Sequence, residues 1–372
     1  MEVILLTSPI RLLVPDMPRH TELLPYLREI ERLLWYTNFG PLSMKFEHRI
    51  AEILGVHEEA VCAVANCTLA LEAALAILGL RRNARVLIPA MTFVATASAV
   101  LRSGYVPVLS DVDDRSWILT PEIARECMRD GPVDCVMPVA AFGCPVDVVA
   151  WDSFYEETGI PVLIDAAGAF GNQPVGRHGM VAFSFHATKT LGCGEGGLVA
   201  SFDARWVSEI RQFTNFGIDT LTGSVGQAGT NAKLSEYHAA VGLAALDSWP
   251  EKRVRRQKVH ARYLAKLASA CPSLELQNRP RDGIYSIMQV RLPDSVDARR
   301  VAGLLEAQHI ETRRWYLPPL SAHPAFRDAM HYGGISVVSK LAGSLIGLPF
   351  HVLLSDSEID FICMQMAAAM NA

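Results

Sequence analysis

Pro161-Val162-Leu163-Ile164-Asp165 and, after a loop punctuated by Gly and Pro, Val181-Ala182-Phe183-Ser184-Phe185-His186-Ala187-Thr188-Lys189-Thr190 decide how this chain is read. Both begin as short, β-rich apolar runs bounded by Gly and Pro, the pattern of buried strands. The first delivers Asp165 at its end. The second leads through Ser184 to Lys189 and then to the glycine turn Gly194-Glu195-Gly196-Gly197. One carboxylate and one lysine thus stand just past the ends of two strands, where open α/β sheets place their ligands.

That pair suits pyridoxal phosphate, which needs a lysine to hold it as an imine and an anion facing its pyridine nitrogen. At ~3 Å and an effective dielectric of ~20, the Coulomb attraction is on the order of 5 kcal/mol. One pKa unit corresponds to ~1.4 kcal/mol, so such a contact keeps the ring nitrogen protonated at neutral pH. Alone, an Asp after a strand is an ordinary helix cap and a Lys in a loop an ordinary solvated charge. In order, with Ser184-x-His186-x-x-Lys189 ahead of the glycine turn, they read as a cofactor site.

Upstream, helical spacing of Leu23, Leu24, Leu27 and Ile30 and of Phe46, Ile50, Ile53 and Leu54 predicts two helices. The breaker cluster Thr37-Asn38-Phe39-Gly40-Pro41-Leu42 separates them. A strand, Val61–Val64, precedes Asn66-Cys67-Thr68 and a helix from about residue 69 to 80. A hydroxyl and free amides at a helix start are an N-cap, and equally a place for an anion. Further strands are expected at 85–89, 105–109, 135–139 and 198–201, with helices between them, the alternation of a mostly parallel sheet. Phe93, at the head of the helix after residue 91, reads either as core or as an aromatic for stacking on a ring. Ser235 is expected to cap a helix that Pro250 stops. Pro250 divides the chain into 1–250 and 251–372. The basic helix that follows it, 251–270, reads as a solvated face, since no interleaved aromatics support nucleic-acid binding. The remainder alternates strands and helices as a small α+β lobe.

The motifs SFHATKTLGCGEGG, DAAGAFG and GTNAKLSEYHAAVGLAALD resemble those of the DegT/DnrJ/EryC1/StrS family of sugar aminotransferases, from Asn38-Phe39-Gly40-Pro41 to Leu348-Pro349-Phe350. The resemblance implies fold type I, with a mostly parallel seven-stranded sheet domain and a smaller C-terminal α+β domain. It implies transamination from an amino acid, L-glutamate, to a nucleotide-linked keto sugar. Lys189 and Asp165 then take the catalytic roles. Cys67, Thr68 and Ser184 bind the cofactor beside them, Phe93 stacks on its ring, and Asn231 reaches across a homodimer interface to the partner's cofactor phosphate. Asn38, Arg314, Tyr316 and His323 match substrate-facing segments. Two departures stand out: Asn-Cys-Thr where the family has Ser-Gly-Thr, and Gly168 where many relatives carry Gln or His against the ring. Alternatives within the family are aminocyclitol amination and sugar dehydration, the latter opposed by Lys189, since those relatives carry His there. A regulatory protein that binds the cofactor without catalysis is the reading from another class.

Composition fits an enzyme of this kind. At 372 residues, half of them hydrophobic, the chain is long enough for a full core. A net charge of −5 argues against nucleic acid as a partner. The apolar start Met1–Leu6 lacks a basic n-region and a cleavage pattern, and no run reaches the ~18 apolar residues of a membrane helix. Eight scattered cysteines, at 62, 67, 127, 135, 144, 193, 271 and 363, form no Cys-x-x-Cys or zinc spacing. No metal site is expected, and free thiols point to the reducing cytoplasm.

Overall fold

The short apolar runs between residues 61 and 200 all become strands buried on both faces, as a sheet covered by helices on either side requires. In chain order these are β1 Val61–Val64, β2 Arg85–Pro89, β3 Val106–Ser110, β4 Cys135–Val136, β5 Leu163–Asp165, β6 Met180–Ser184 and β7 Gly197–Ala200. The computed structural model describes residues 9–372, so Met1–Leu6 lies outside the described residues. Pairing gives one run β1-β7-β6-β5 and another β3-β2-β4. Bridges Val136↔Val162 and Val139↔Asp165 join them edge to edge. Only β7 runs against its neighbours.

The helices of this half are α1 His20–Leu33, α2 Pro41–Leu54, α3 Cys67–Ile77, α4 Val94–Arg102, α5 Pro121–Cys127, α6 Val148–Thr158, α7 Ala204–Thr214 and α8 Glu236–Asp247. Ser235 caps α8, its hydroxyl accepting from the His238 amide at 3.3 Å. The next helix, α9 Trp249–Ala270, begins just before Pro250, which sits harmlessly in its first turn.

The remaining strands are β8 Glu275–Leu276, β9 Met288–Arg291, β10 Met330–His331 and β11 Leu345–Leu348, with helices α10 Ala298–Ala307, α11 Ser336–Ser344 and α12 Asp356–Asn371. The order β11-β9-β8 makes a small antiparallel sheet. A second core forms around it from Val259, Tyr263, Val290, Val301, Leu305, Ile346 and Ile362. The main core reaches into the last third of the chain through Leu320, Phe326, Tyr332 and Leu341. β10 pairs with β3 in parallel and so extends the large sheet by one strand. The segment 311–316, expected to continue the strand–helix alternation, makes a single bridge, Arg313↔Gly347.

The basic helix departs from the expectation of a solvated face. Lys252, Arg256 and His260, at i, i+4 and i+8 of α9, are each at most 3 % exposed. Lys252 Nζ donates to the Asp16 carbonyl at 2.6 Å, and Arg256 donates to the carbonyls of Tyr285 and Lys189 at 3.3 and 3.4 Å. The heads that look solvated in the sequence reach backbone oxygens inside.

His260 carries a testable consequence. Its Nδ1 lies 3.1 Å from the Arg281 carbonyl, which only accepts, and its Nε2 lies 3.4 Å from Arg279 Nη2, which only donates. The ring must therefore be neutral with its proton on Nδ1. Burial, and then the Arg279 charge, push its pKa down to about 4. As pH falls below the ~6.5 of an unfolded histidine, the unfolded chain takes up the proton first. The stabilisation is thus complete above ~6.5 and lost towards ~4. Between pH 7 and pH 5, wild type should lose about 2 kcal/mol more unfolding free energy than His260→Gln. Parallel urea-denaturation profiles across that range would contradict the assignment.

Candidate active site

Asp165 ends β5, 4 % exposed, and its position is set by the backbone first. Its amide donates to the Pro138 carbonyl and its carbonyl accepts from the Ala140 amide, both at 2.9 Å. Its side chain is then held from two sides. Oδ1 accepts from the Ala167 amide at 3.1 Å, and Oδ2 accepts from the Thr96 hydroxyl at 2.8 Å. Burial pushes this carboxyl up, while Thr96, Ala167 and Lys189 draw it back towards the ionised form.

Lys189 lies in the turn after the neighbouring strand β6, its amide donating to the His186 carbonyl at 2.9 Å. Its carbonyl accepts from Arg256. No hydrogen bond or ion pair takes up its amine among the described residues. Burial lowers its pKa, while Cys67 and Asp165 oppose that shift. The amine is therefore nearer to a free nucleophile at neutral pH than an ordinary lysine.

A third element closes on this pair because one residue has no side chain. Gly197 pairs with Val64 of β1 on one side and with Ser184 of β6 on the other. A Cβ on Gly197 would sit 2.5 Å from the Asn66 carbonyl carbon and 2.6 Å from the Cys67 nitrogen. Only glycine lets the start of α3 lie against β7, which brings Cys67 and Thr68 level with Ser184. The Asn66 carboxamide caps α3 by accepting from the Leu69 amide at 3.0 Å. The amides of Cys67 and Thr68 and the Thr68 hydroxyl meet no acceptor among the described residues. They form a donor set suited to a phosphate. Burial, then Asp165, push the Cys67 thiol up, so it stays protonated beside the two charges.

The donor set therefore fits pyridoxal phosphate: an acceptor-only carboxylate, a free amine, and unfilled amides at a helix start. Phe93 stands at the N-cap of α4 with 60 % of its surface exposed, three residues before Thr96. Tyr316 stacks on Phe142 at 5.3 Å and 15°. Burial, then the Asp165 charge, raise its phenol, so it stays protonated near that carboxylate. Leu320 donates to the Ala90 carbonyl at 3.4 Å, setting the segment that carries Tyr316 and half-buried His323 over the carboxyl end of β2. A Cβ on Gly168 would meet only the Gly143 amide nitrogen, at 3.6 Å, so its missing side chain leaves room close to Asp165.

The remaining sequence candidates make their hydrogen bonds and bridges elsewhere among the described residues. Asn38 and Phe39 are left-handed, with φ 63° and 55°, in the loop before α2. Glu236 pins this loop, accepting from the Leu42 and Ser43 amides at 2.8 and 2.9 Å. Asn231 is exposed, on a strip that bridges Asn215 and flanks β1 through Ala65 N to Ala232 O at 2.7 Å. Arg314 Nη2 donates to the carbonyls of Ala342 and Gly343, both at 2.8 Å, at the end of α11. No hydrogen bond ties any of these three to Asp165 or Lys189.

Sequence reading passed over Thr92, Thr96, Arg256 and Glu236. The i, i+4 spacing of Thr92 and Thr96 across the start of α4 was a usable signal. Arg256 and Glu236 act on residues far away in the chain and had none.

The family model for DegT/DnrJ/EryC1/StrS aminotransferases matches residues 19–367. Protein Rv3402c of Mycobacterium tuberculosis is 32% identical over 360 residues, 93% of this chain and 86% of that protein. The UDP-2-acetamido-2-deoxy-3-oxo-D-glucuronate aminotransferase of Pseudomonas aeruginosa is 30% identical over 345 residues, 90% and 93% of the two chains. A crystal structure of DesI in the presence of its TDP-sugar product superposes with a TM-score of 0.87 at 30% identity, covering 97% of this chain and 93% of that one. The chain belongs to the DegT/DnrJ/EryC1/StrS aminotransferase family.

Proposed function

We propose that the protein is a pyridoxal-phosphate-dependent aminotransferase that moves an amino group from an amino acid, L-glutamate, to a keto sugar carried on a nucleotide. The observation that carries this reading is the pair Asp165, at the end of β5, and Lys189, in the turn after the adjacent strand β6, one an ionisable acceptor and the other an amine with no partner among the described residues. The names of the relatives supply the substrate class. Bound there, the cofactor supplies the electron sink that stabilises negative charge at the donor's α-carbon.

The chain's own residues do the rest. Asp165 holds the ring nitrogen protonated. Lys189 takes the proton from the donor's α-carbon and returns it at the cofactor's C4′, then works in the opposite direction on the sugar carbon. The amides of Cys67 and Thr68, with the hydroxyls of Thr68 and Ser184, hold the phosphate. Phe93 stacks on the ring. Tyr316, Asn38 and His323 line the substrate mouth. Arg314 supports α11, because its Nη2 is committed to two carbonyls there. We take Pro250 as the division between units 1–250 and 251–372, with the segment from Trp315 onward returning to cover the site. Eight buried free thiols favour the reducing cytoplasm.

The test is turnover with L-glutamate and a panel of nucleotide-linked 3-keto and 4-keto hexoses, read by mass spectrometry. The expected result is 2-oxoglutarate and an amino sugar in equal amounts, with Lys189→Ala slower by at least ~10²-fold. A dehydrated sugar, or undiminished turnover in Lys189→Ala, would end the proposal.

The site is proposed to be shared between two chains. Asn231 is exposed on its edge strip, and Phe216, Leu221 and Val225 nearby expose 51, 96 and 60 % of their surfaces. Apolar area of this kind marks a contact, and a second copy related by a two-fold axis is the commonest partner. Asn231 would then reach the partner's cofactor phosphate. Lys189→Ala and Asn231→Asp chains, each inactive alone, should regain activity when mixed, because one site of the hybrid has both residues intact. Hybrid dimers that form yet stay inactive would make Asn231 a turn residue only.

A further inference from the structure

Asp165 is held by a short relay of two threonine hydroxyls. Thr96 is fully buried at the third position of α4, and Thr92 is 2 % exposed. The Thr96 hydroxyl lies 2.8 Å from Asp165 Oδ2 and 2.8 Å from the Thr92 hydroxyl. A carboxylate only accepts, so the one proton of Thr96 goes to Asp165, and Thr92 must donate to Thr96. The relay therefore has a fixed direction that ends on the carboxylate.

A threonine in a helix ordinarily turns its hydroxyl to the carbonyl one turn back. Here the residue one turn back is Thr92, and the contact is to its hydroxyl, which leaves the Thr96 proton free for Asp165. If packing were the only need, valine would fill the same space without burying two hydroxyls. The second torsion of an aspartate is otherwise broad. Thr96 on one oxygen and the Ala167 amide on the other fix it from opposite ends.

We propose that Thr96, backed by Thr92, is a positioning residue for Asp165, holding its carboxylate ionised and in one orientation for the cofactor's ring nitrogen. This deepens the proposed function and rests on its assignment of Asp165 to that nitrogen. Thr96 acts through the aspartate, to which its hydroxyl donates. Hydrogen bonds to a charged group are the stronger kind, and a chain of two reinforces the one that ends on the charge.

The experiment measures binding of two ligands to the apo full-length chain by quenching of tryptophan fluorescence. One is pyridoxal phosphate; the other is 1-deazapyridoxal phosphate, which has C–H where the cofactor has the ring nitrogen. The two share the phosphate, the aldehyde and the ring face, so their affinity ratio isolates the contact with Asp165. Wild type should prefer pyridoxal phosphate, and Asp165→Asn should lose most of that preference. Thr96→Val should reduce the ratio about tenfold, through weaker binding of pyridoxal phosphate, with the deaza affinity within about threefold of wild type. Thr96→Ser should restore it, and Thr92→Val should cause a smaller drop. If Thr96→Val weakens both ligands equally, or leaves the ratio unchanged, Thr96 is packing and the proposal falls. Should Thr96→Val fail to fold, Thr92→Val decides: an unchanged ratio there overturns the relay. A wild type without any preference would instead remove the assignment of Asp165 itself.

Discussion

A carboxylate buried in the heart of a sheet and still required to carry charge is the constraint on which the rest of this structure depends. Burial alone drives Asp165 towards its neutral form. A neutral acid there would leave a bound ring nitrogen without its anion. Three contacts oppose that drift: the Thr96 hydroxyl, the Ala167 amide and the charge of Lys189. The lysine is subject to the mirror effect, since burial favours its free amine while Asp165 favours the ammonium. Each group thus tempers the shift of the other, and both stay within reach of the forms that imine chemistry at neutral pH needs.

Backbone geometry brings the phosphate end of the site to the same place. Within the large sheet β7 runs against its neighbours β1 and β6, and Gly197 at its start touches β1, β6 and the first residues of α3 together. Any side chain at Gly197 would force α3 away from Ser184. The antiparallel strand and the missing Cβ are thus a single device that lines up the donors of Cys67 and Thr68 with the hydroxyl of Ser184. Glu236 does comparable work further out, where one buried carboxylate caps α2 and its own amide donates to the Tyr36 carbonyl at 3.1 Å. Loop 37–40 and the strip carrying Asn231 are anchored through the same residue.

Much of this was legible from local pattern. The seven apolar runs became the seven strands because they are short, rich in β-branched residues and bounded by Gly and Pro, which suits a strand buried on both faces rather than a helix. Asp165 and Lys189 stood out because a charge at the end of an apolar run is costly unless it is used. What escaped was set by contacts distant in sequence. Lys252, Arg256 and His260 have the period of a solvated helix face, and only the loops folded over them reveal that the face points inward. Two-residue β10 is too short for any pattern to announce, and its pairing with β3 joins parts of the chain more than 200 residues apart. The relay from Thr92 lay between these cases: its spacing is visible, but its purpose depends on a carboxylate some 70 residues further on.

The central claim is that Lys189, beside Asp165, holds the cofactor. Borohydride reduction of protein loaded with pyridoxal phosphate, followed by proteolysis and mass spectrometry of the fluorescent peptide, tests it directly. The account predicts a single reduced adduct on Lys189. An adduct on any other lysine, or none, would contradict it.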